Sequence, residues 1–159
     1  SFVRNKQDIL RVSKKVKRSL PDCQIIAKIE NQQGLRNIDR IIAACDGILI
    51  ARGDLGVSLP IYKIPIIQKD IVAHCKKKKR PVIVATQMLE SMTENSRPTR
   101  AEVSDVANAI LDGVDGVMLS GETAVGHFPV TCVRMMCHII EYTEQAQFHL
   151  KKKDSLLRI

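Results

Sequence analysis

The sequence predicts an α/β fold with parallel strands, because four short apolar runs alternate with segments of helical period. The runs cover residues 25–27, 48–50, 82–85 and 117–119, and each ends in polar residues. Strands that are apolar along their whole length are typical of parallel sheets buried on both faces. Polar groups at the carboxyl ends of such strands are where a (β/α)₈ barrel forms its active site. The sequence therefore predicts a partial TIM (β/α)₈ barrel, and the polar strand ends indicate an enzyme.

The segments between the strands have apolar residues at helical spacing. The apolar face of the first expected helix is formed by Ile9, Val12, Val16 and Leu20. The apolar face of the second is formed by Leu35, Ile38, Ile41, Ile42 and Cys45. Pro65 is expected to start a third helix that buries Ile67, Ile71 and Cys75. A capping box at Thr99 and Glu102 is expected to start a fourth, with Val103, Val106 and Ile110 inward. Pro129 suits the first position of a fifth, whose apolar stripe would be Val130, Val133, Cys137 and Ile140.

The chain is too short for a complete barrel. It has 159 residues, whereas a (β/α)₈ barrel takes roughly 250, or about 200 at the least. The predicted elements account for four βα units, about half of a barrel. Four strands cannot close a barrel, and the open edges of such a sheet favour aggregation. We therefore expect residues 1–159 to be a fragment of a longer protein, or a half-barrel that pairs with another half.

The composition argues against a nucleic-acid-binding protein, a membrane protein and a secreted protein. The net charge of +8 comes mainly from basic clusters at 14–18, 76–80 and 151–153, near the ends of predicted helices, where cations complement the helix dipole. Aromatic residues, which would stack on bases, make up only 3% of the chain. The five cysteines have no zinc-ligand or paired spacing, which is typical of reduced thiols, and no apolar run is long enough to cross a bilayer. We expect a cytoplasmic location.

Glu30 and Asp54 are the candidate metal ligands, and Lys28 lies on the same strand as Glu30. Lys28 and Glu30 are two residues apart on a strand, so their side chains share a face. Asp54 follows the next strand along the chain. Mg²⁺ commonly takes one or two protein carboxylates and completes its shell with substrate and water. The alternative is a Lys28–Glu30 ion pair that serves the structure alone.

Other strand ends carry glycines and hydroxyls. The run Arg52-Gly53-Asp54-Leu55-Gly56 places main-chain amides where a carboxylate or phosphate could approach, although a tight turn explains the glycines equally well. Thr86 ends the third strand, and Ser120 and Glu122 follow the fourth. Each hydroxyl has capping of a loop as its alternative role.

Taken together, six blocks resemble the pyruvate kinase family, from the end of its fourth barrel strand through its eighth strand and helix. The blocks lie at residues 26–31, 51–56, 85–92, 97–102, 104–109 and 119–124, and the resemblance spans about residues 2–145. It implies phosphoryl transfer from phosphoenolpyruvate to ADP, which yields pyruvate and ATP in glycolysis. The implied cofactors are Mg²⁺ or Mn²⁺ and K⁺, and the implied parent protein is a cytoplasmic homotetramer.

The resemblance also assigns roles residue by residue. Glu30 and Asp54 match the metal ligands, and Lys28 matches the lysine that stabilises the migrating phosphoryl group and the enolate. Ala51, Arg52, Gly53 and Asp54 match the stretch that holds the substrate carboxylate beside the metal. Thr86 matches a substrate-binding hydroxyl near the carbon that is protonated, while Ser120 and Glu122 match groups proposed to relay that proton.

The chain departs from the family pattern in two ways. Val125 stands where many relatives carry a lysine near the nucleotide. The blocks also lack the family's first half-barrel, its K⁺ ligands, its lid domain and its C-terminal regulatory domain, toward which residues 151–159 would lead. The isolated chain is therefore expected to be inactive. Two alternatives are another Mg²⁺-dependent barrel enzyme acting on phosphoenolpyruvate or pyruvate, such as an aldolase or dikinase relative, and a non-catalytic half-barrel that binds partners through its strand edges.

Overall fold

The computed structural model describes residues 1–156, with side chains described as far as residue 149. The helices are α1 (Lys6–Val16), α2 (Gln32–Arg36), α3 (Ile38–Ile42), α4 (Arg52–Ser58), α5 (Ile64–Lys77), α6 (Arg100–Asp112), α7 (Gly121–Ala124) and α8 (Pro129–Leu156). The strands are β1 (Ile26–Ile29), β2 (Gly47–Ala51), β3 (Val82–Ala85) and β4 (Gly116–Met118), and short 3₁₀ turns cover Ile61–Lys63 and Glu90–Thr93. The residues fall into two compact units, 1–86 with 114–116, and 87–113 with the residues from 117 onward.

The sheet confirms the predicted α/β topology. Its strand order is β1-β2-β3-β4, and the pairs β1–β2 and β2–β3 are parallel. The register places Lys28 beside Leu49, and Leu49 beside Ile83. Parallel neighbours require a helical crossover between them, which the intervening helices supply.

The two faces of the sheet in the first unit differ in burial. One face carries Ala27, Ile29, Ile48, Ile50, Val82 and Val84, none of which has measurable exposure. On the other face Lys28, Leu49 and Ile83 are half-buried, and Ile26 is 48% exposed. Side chains alternate between faces along a strand, so helices cover one face of β1 to β3 and leave the other partly open.

The first two predicted helices are corrected by the structure. α1 ends at Val16 and buries Ile9, whereas Val12 and Leu20 are exposed. The single helix expected over residues 35–45 is instead two short helices that meet at Asn37, with Ile41 and Ile42 buried. The Asn37 side chain donates to the main-chain oxygens of Arg4, at 2.9 Å, and Gln33, at 3.1 Å. Asparagine side chains that bond nearby main chain compete with helix continuation.

The predicted starts of the later helices are confirmed. α5 has Pro65 in its first turn and buries Ile71 and Cys75. The hydroxyl of Thr99 accepts from the Glu102 amide, and the Glu102 carboxylate accepts from the Thr99 amide, which completes the capping box of α6. α6 ends at Gly113, whose φ of 86° is the left-handed conformation that glycine adopts without a Cβ penalty.

The predicted apolar stripe of α8 is wrong. Val130, Val133 and Cys137 are exposed, and Ile140 is half-buried. The buried face is instead Cys132, Met136, Ile139 and Thr143. Apolar residues occur on both sides of α8 within its first three turns, so their spacing alone does not select the inward face.

The basic clusters of the first unit lie at helix ends, as expected. Lys14 and Lys15 are in the last turn of α1, and Lys76 and Lys77 in the last turn of α5. The cluster at 151–153 lies outside the residues whose side chains are described. Among the described residues, no helix is both long enough and apolar enough to cross a membrane.

Candidate functional site

The ammonium of Lys28 lies between two carboxylates at the carboxyl ends of β1 and β2. Lys28 Nζ is 2.7 Å from Glu30 Oε1 and 3.3 Å from Asp54 Oδ2. Lys28 is part of β1, Glu30 follows that strand directly, and Asp54 lies in the first turn of α4, which begins where β2 ends. The structure therefore brings these three side chains together.

The three charges differ in exposure. Glu30 is only 7% exposed, and its second oxygen accepts a short hydrogen bond from the Phe2 amide. The side chain of Asp54 is 52% exposed. One carboxylate is thus fixed by the protein while the other faces solvent, so a solute can reach the site from the side of Asp54.

Hydrogen bonding keeps Lys28 and Glu30 charged. The hydrogen bond to Glu30 raises the pKa of Lys28 above its ordinary value, against an opposing effect of burial. Burial raises the pKa of Glu30, but the hydrogen bonds from Lys28 and from the Phe2 amide outweigh it, so the pKa of Glu30 falls below its ordinary value. At neutral pH the site therefore holds an ammonium and a buried carboxylate.

The donor set suits a hard divalent cation. Glu30 and Asp54 each offer a carboxylate oxygen within 3.3 Å of Lys28 Nζ. Within the described part of the chain, no group of three or more histidine, cysteine, aspartate or glutamate side chains is placed to hold a metal. Two carboxylates, of which Asp54 faces solvent, match the habit of Mg²⁺, which takes few protein ligands and retains water and substrate ligands.

Thr86 is held by the main chain around it. Its hydroxyl donates to the Ala85 carbonyl oxygen at 2.6 Å and accepts from the Gly53 amide at 2.8 Å. The guanidinium of Arg52 donates to the Thr86 carbonyl oxygen through Nε, at 3.3 Å, and Nη2, at 3.0 Å. The structure thus brings Arg52, Gly53 and Thr86 together. The Gly53 amide, expected to face a ligand, donates to Thr86 here.

Ser120 and Glu122 belong to the second unit, where they contact each other. Glu122 has no measurable exposure, and its carboxylate accepts from the amides of Ser120, at 2.7 Å, and Leu89, at 3.2 Å. Ser120 is half-buried and directly precedes α7. The carboxylate therefore fixes the main chain on which the Ser120 hydroxyl is carried. Ala51, the remaining predicted residue, is buried at the end of β2.

Sequence reasoning missed two groups at these sites. The Phe2 amide bonds Glu30, and because this is a main-chain contact across 28 residues, no side-chain pattern indicates it. Gln68 is 5% exposed on the inward side of α5, and its Oε1 lies 3.4 Å from Arg52 Nη1. A polar residue on an otherwise apolar helix face was the available signal for Gln68.

Known proteins match this chain over most of its length. Residues 1–133 match the family described as "Pyruvate kinase, barrel domain". A pyruvate kinase of Candida albicans is 54% identical over 146 residues, which are 92% of this chain and 29% of that protein. A pyruvate kinase of Geobacillus stearothermophilus is 54% identical over 150 residues, covering 94% of this chain and 26% of that one.

A solved structure agrees with these sequence matches. A pyruvate kinase crystal structure from Cryptosporidium parvum superposes with a TM-score of 0.87 at 45% identity, over 91% of this chain and 31% of that one. The chain thus spans less than a third of the length of the relatives that it matches. At these identities and this coverage, the sequence and the fold together show that the chain belongs to the pyruvate kinase family.

Proposed function

We propose that this chain is part of a pyruvate kinase whose parent protein transfers a phosphoryl group from phosphoenolpyruvate to ADP in glycolysis, yielding pyruvate and ATP. One observation carries the proposal: an ammonium lies between two carboxylates at adjacent parallel strand ends, in a chain of this family. Membership of the family also favours this reaction over those of other phosphoenolpyruvate-dependent barrel enzymes and over a non-catalytic scaffold.

Residues 1–159 would form the C-terminal half of the parent's catalytic (β/α)₈ barrel. The support is the parallel order of β1 to β3, together with a sheet face that the chain itself leaves partly open. The other half-barrel, the lid domain, the C-terminal domain and the K⁺ ligands would come from elsewhere in a cytoplasmic, homotetrameric parent.

Glu30 and Asp54 would hold Mg²⁺ or Mn²⁺, which supplies Lewis-acid polarisation and neutralises negative charge on the substrate. Lys28 would stabilise charge on the migrating phosphoryl group and on the enolate oxygen. Its ammonium is kept protonated by Glu30. Fixed charges aimed at developing charge are the main source of rate enhancement in such transfers.

The substrate carboxylate would lie against Ala51, Arg52, Gly53 and Asp54, at the junction of β2 and α4. Thr86 would face the carbon that receives a proton. Its hydroxyl is held in one position by the Gly53 amide and the Ala85 carbonyl oxygen. Ser120 and Glu122 would relay that proton, with the buried carboxylate of Glu122 orienting the serine main chain.

The test is ADP-dependent pyruvate formation by the parent protein. Replacing Lys28 by Met removes the ammonium while keeping a side chain of similar length, and we expect kcat to fall by about 10²-fold or more. Lys14→Met, in the exposed last turn of α1, is the matched control. Wild-type turnover by Lys28→Met would refute the role of Lys28, and a parent that forms no pyruvate from phosphoenolpyruvate would refute the function.

The chain alone should be inactive, because phosphoryl transfer depends on positioning by groups that it lacks. Turnover by the purified 159-residue chain, free of full-length protein, would contradict this.

A further inference from the structure

Gln68 connects helix α5 to the strand end that carries Thr86. It is 5% exposed, and its Oε1 accepts a long hydrogen bond of 3.4 Å from Arg52 Nη1. Its neighbours on the same helix face, Ile64, Ile71, Val72 and Cys75, are apolar. Burial of an amide side chain is unfavourable unless a partner compensates for lost water, and the guanidinium of Arg52 is such a partner.

The same guanidinium holds the main chain of Thr86. Nε and Nη2 of Arg52 both donate to the Thr86 carbonyl oxygen, at 3.3 and 3.0 Å. A guanidinium is planar and its donors point in fixed directions. A contact at Nη1 therefore sets the direction in which Nε and Nη2 can donate.

Thr86 needs this support because its backbone is strained. Its φ is 69°, and that of the next residue, Gln87, is 53°. Positive φ is unfavourable for a β-branched side chain and persists only where surrounding contacts enforce it. The left-handed conformation directs the Thr86 hydroxyl to its acceptor, Ala85, and its donor, Gly53.

We propose that Gln68 is a positioning residue for Thr86. It holds the Arg52 guanidinium in the orientation that keeps Thr86 left-handed and its hydroxyl in place. This inference rests on the proposed function for its kinetic consequence, but its structural consequence stands apart from any activity. Gln68 acts through its hydrogen bond with Arg52.

Amide hydrogen exchange in the parent protein tests the structural step. Gln68→Leu removes the acceptor at similar volume, so the Gly53 amide, which depends on the Thr86 hydroxyl, should exchange about tenfold faster, corresponding to a lost hydrogen bond. Val72→Ala is the control, because it perturbs the buried face of the same helix and leaves the Arg52 contact intact. Unchanged Gly53 exchange in Gln68→Leu, or equal acceleration in Val72→Ala, would overturn the proposal.

Two further variants keep the test decisive if Gln68→Leu folds poorly. Gln68→Glu retains an acceptor for Arg52 and should restore slow exchange. Arg52→Lys keeps the charge but loses the forked donors, so it should accelerate exchange at Gly53. Fast exchange in Gln68→Glu, or wild-type exchange in Arg52→Lys, would contradict the positioning role.

Kinetics then separate positioning from a general loss of stability. In Gln68→Leu we expect kcat for pyruvate formation to fall about tenfold, with the KM for phosphoenolpyruvate little changed, because an interaction required in the transition state is weakened. Gln68→Glu should recover most of kcat. An increase in KM with kcat unchanged would refute the inference. If the wild-type parent forms no pyruvate, the proposed function fails, while the exchange measurement still decides the role of Gln68.

Discussion

Gly126 packs directly against the main-chain carbonyl oxygen of Glu122. A Cβ at position 126 would collide with that oxygen and would lie 3.2 Å from the Cα of Thr93. Both obstacles are main-chain atoms, which cannot rotate away as the end of a flexible side chain can. The turn after α7 therefore requires glycine at this position for reasons of space.

Gly126→Ala should destabilise the second unit by about 1–3 kcal/mol, the usual penalty for overpacking. Urea denaturation of the variant measures the loss. Gly121→Ala is the matched control from the same unit, since a Cβ at Gly121 meets nothing within 4 Å. Equal stability of the two variants would show that the main chain at 126 shifts freely.

The capping box of α6 should make the free energy of unfolding depend on pH. Glu102 accepts from the amides of Ser91, at 2.6 Å, and Thr99, at 2.7 Å. Burial raises the pKa of Glu102, but hydrogen bonds from Ser91 and Thr99 outweigh it and hold the pKa below the ordinary value of 4.5. Because the folded-state pKa is depressed, the stabilisation is present above about pH 4.5 and is lost as pH falls through the folded value.

Glu102→Gln measures this contribution. At neutral pH the variant should lose about 1.5–3 kcal/mol of unfolding free energy, as expected for hydrogen bonds to a charged acceptor. The difference from wild type should shrink as the pH is lowered from about 6 to 3. Glu90→Gln, at an exposed glutamate nearby, is the control. A difference that stays constant over this range would contradict the assignment.

The carboxylates around Lys28 should bind a divalent cation in the parent protein. Glu30→Gln replaces one ligand oxygen by an amide nitrogen at nearly constant volume, and we expect Mn²⁺ affinity to fall at least about tenfold. Water-proton relaxation during a Mn²⁺ titration reports the affinity. Glu94→Gln, at an exposed position, should bind as wild type does. If Glu30→Gln bound Mn²⁺ as tightly as the wild type does, Glu30 would not be a metal ligand.

The cysteines should react according to their burial. Cys137 is exposed, whereas Cys45, Cys75 and Cys132 are buried. Burial raises the pKa of Cys75 to about 12 and also raises that of Cys45, so neither thiol forms much of the reactive thiolate near neutral pH. Alkylation of the folded protein at about pH 8, followed by peptide mass spectrometry, should modify Cys137 first. Rapid modification of Cys75 before unfolding would contradict the buried environment.

The local pattern of strands predicted part of the site. The two-residue spacing of Lys28 and Glu30 placed them on one face, and parallel neighbours brought Asp54 to the same edge. Period-two alternation fixes the face within one strand, and the carboxyl ends of neighbouring parallel strands meet at one edge of the sheet, so the strand pattern is sufficient for both inferences.

Contacts that join distant segments were not predictable in the same way. The bond from the Phe2 amide to Glu30 and the contact between Gln68 and Arg52 depend on how the elements pack. The left-handed conformation of Thr86 was equally hidden, since a β-branched residue is an unfavourable choice for positive φ. Such exceptions to local preference are expected where the surrounding structure imposes a conformation.

Helix α8 is the clearest case in which spacing selected the wrong face, and it gives a direct test. Met136 is 5% exposed, whereas Val133, which the sequence predicted to face inward, is 46% exposed. Met136→Ala should therefore lower the unfolding free energy by about 2–5 kcal/mol through loss of buried apolar contact, while Val133→Ala should change it by less than about 0.5 kcal/mol. Thermal and urea unfolding of both variants measure the difference. A larger loss in Val133→Ala than in Met136→Ala would restore the stripe that the spacing favoured, and would mean that α8 is rotated about its axis.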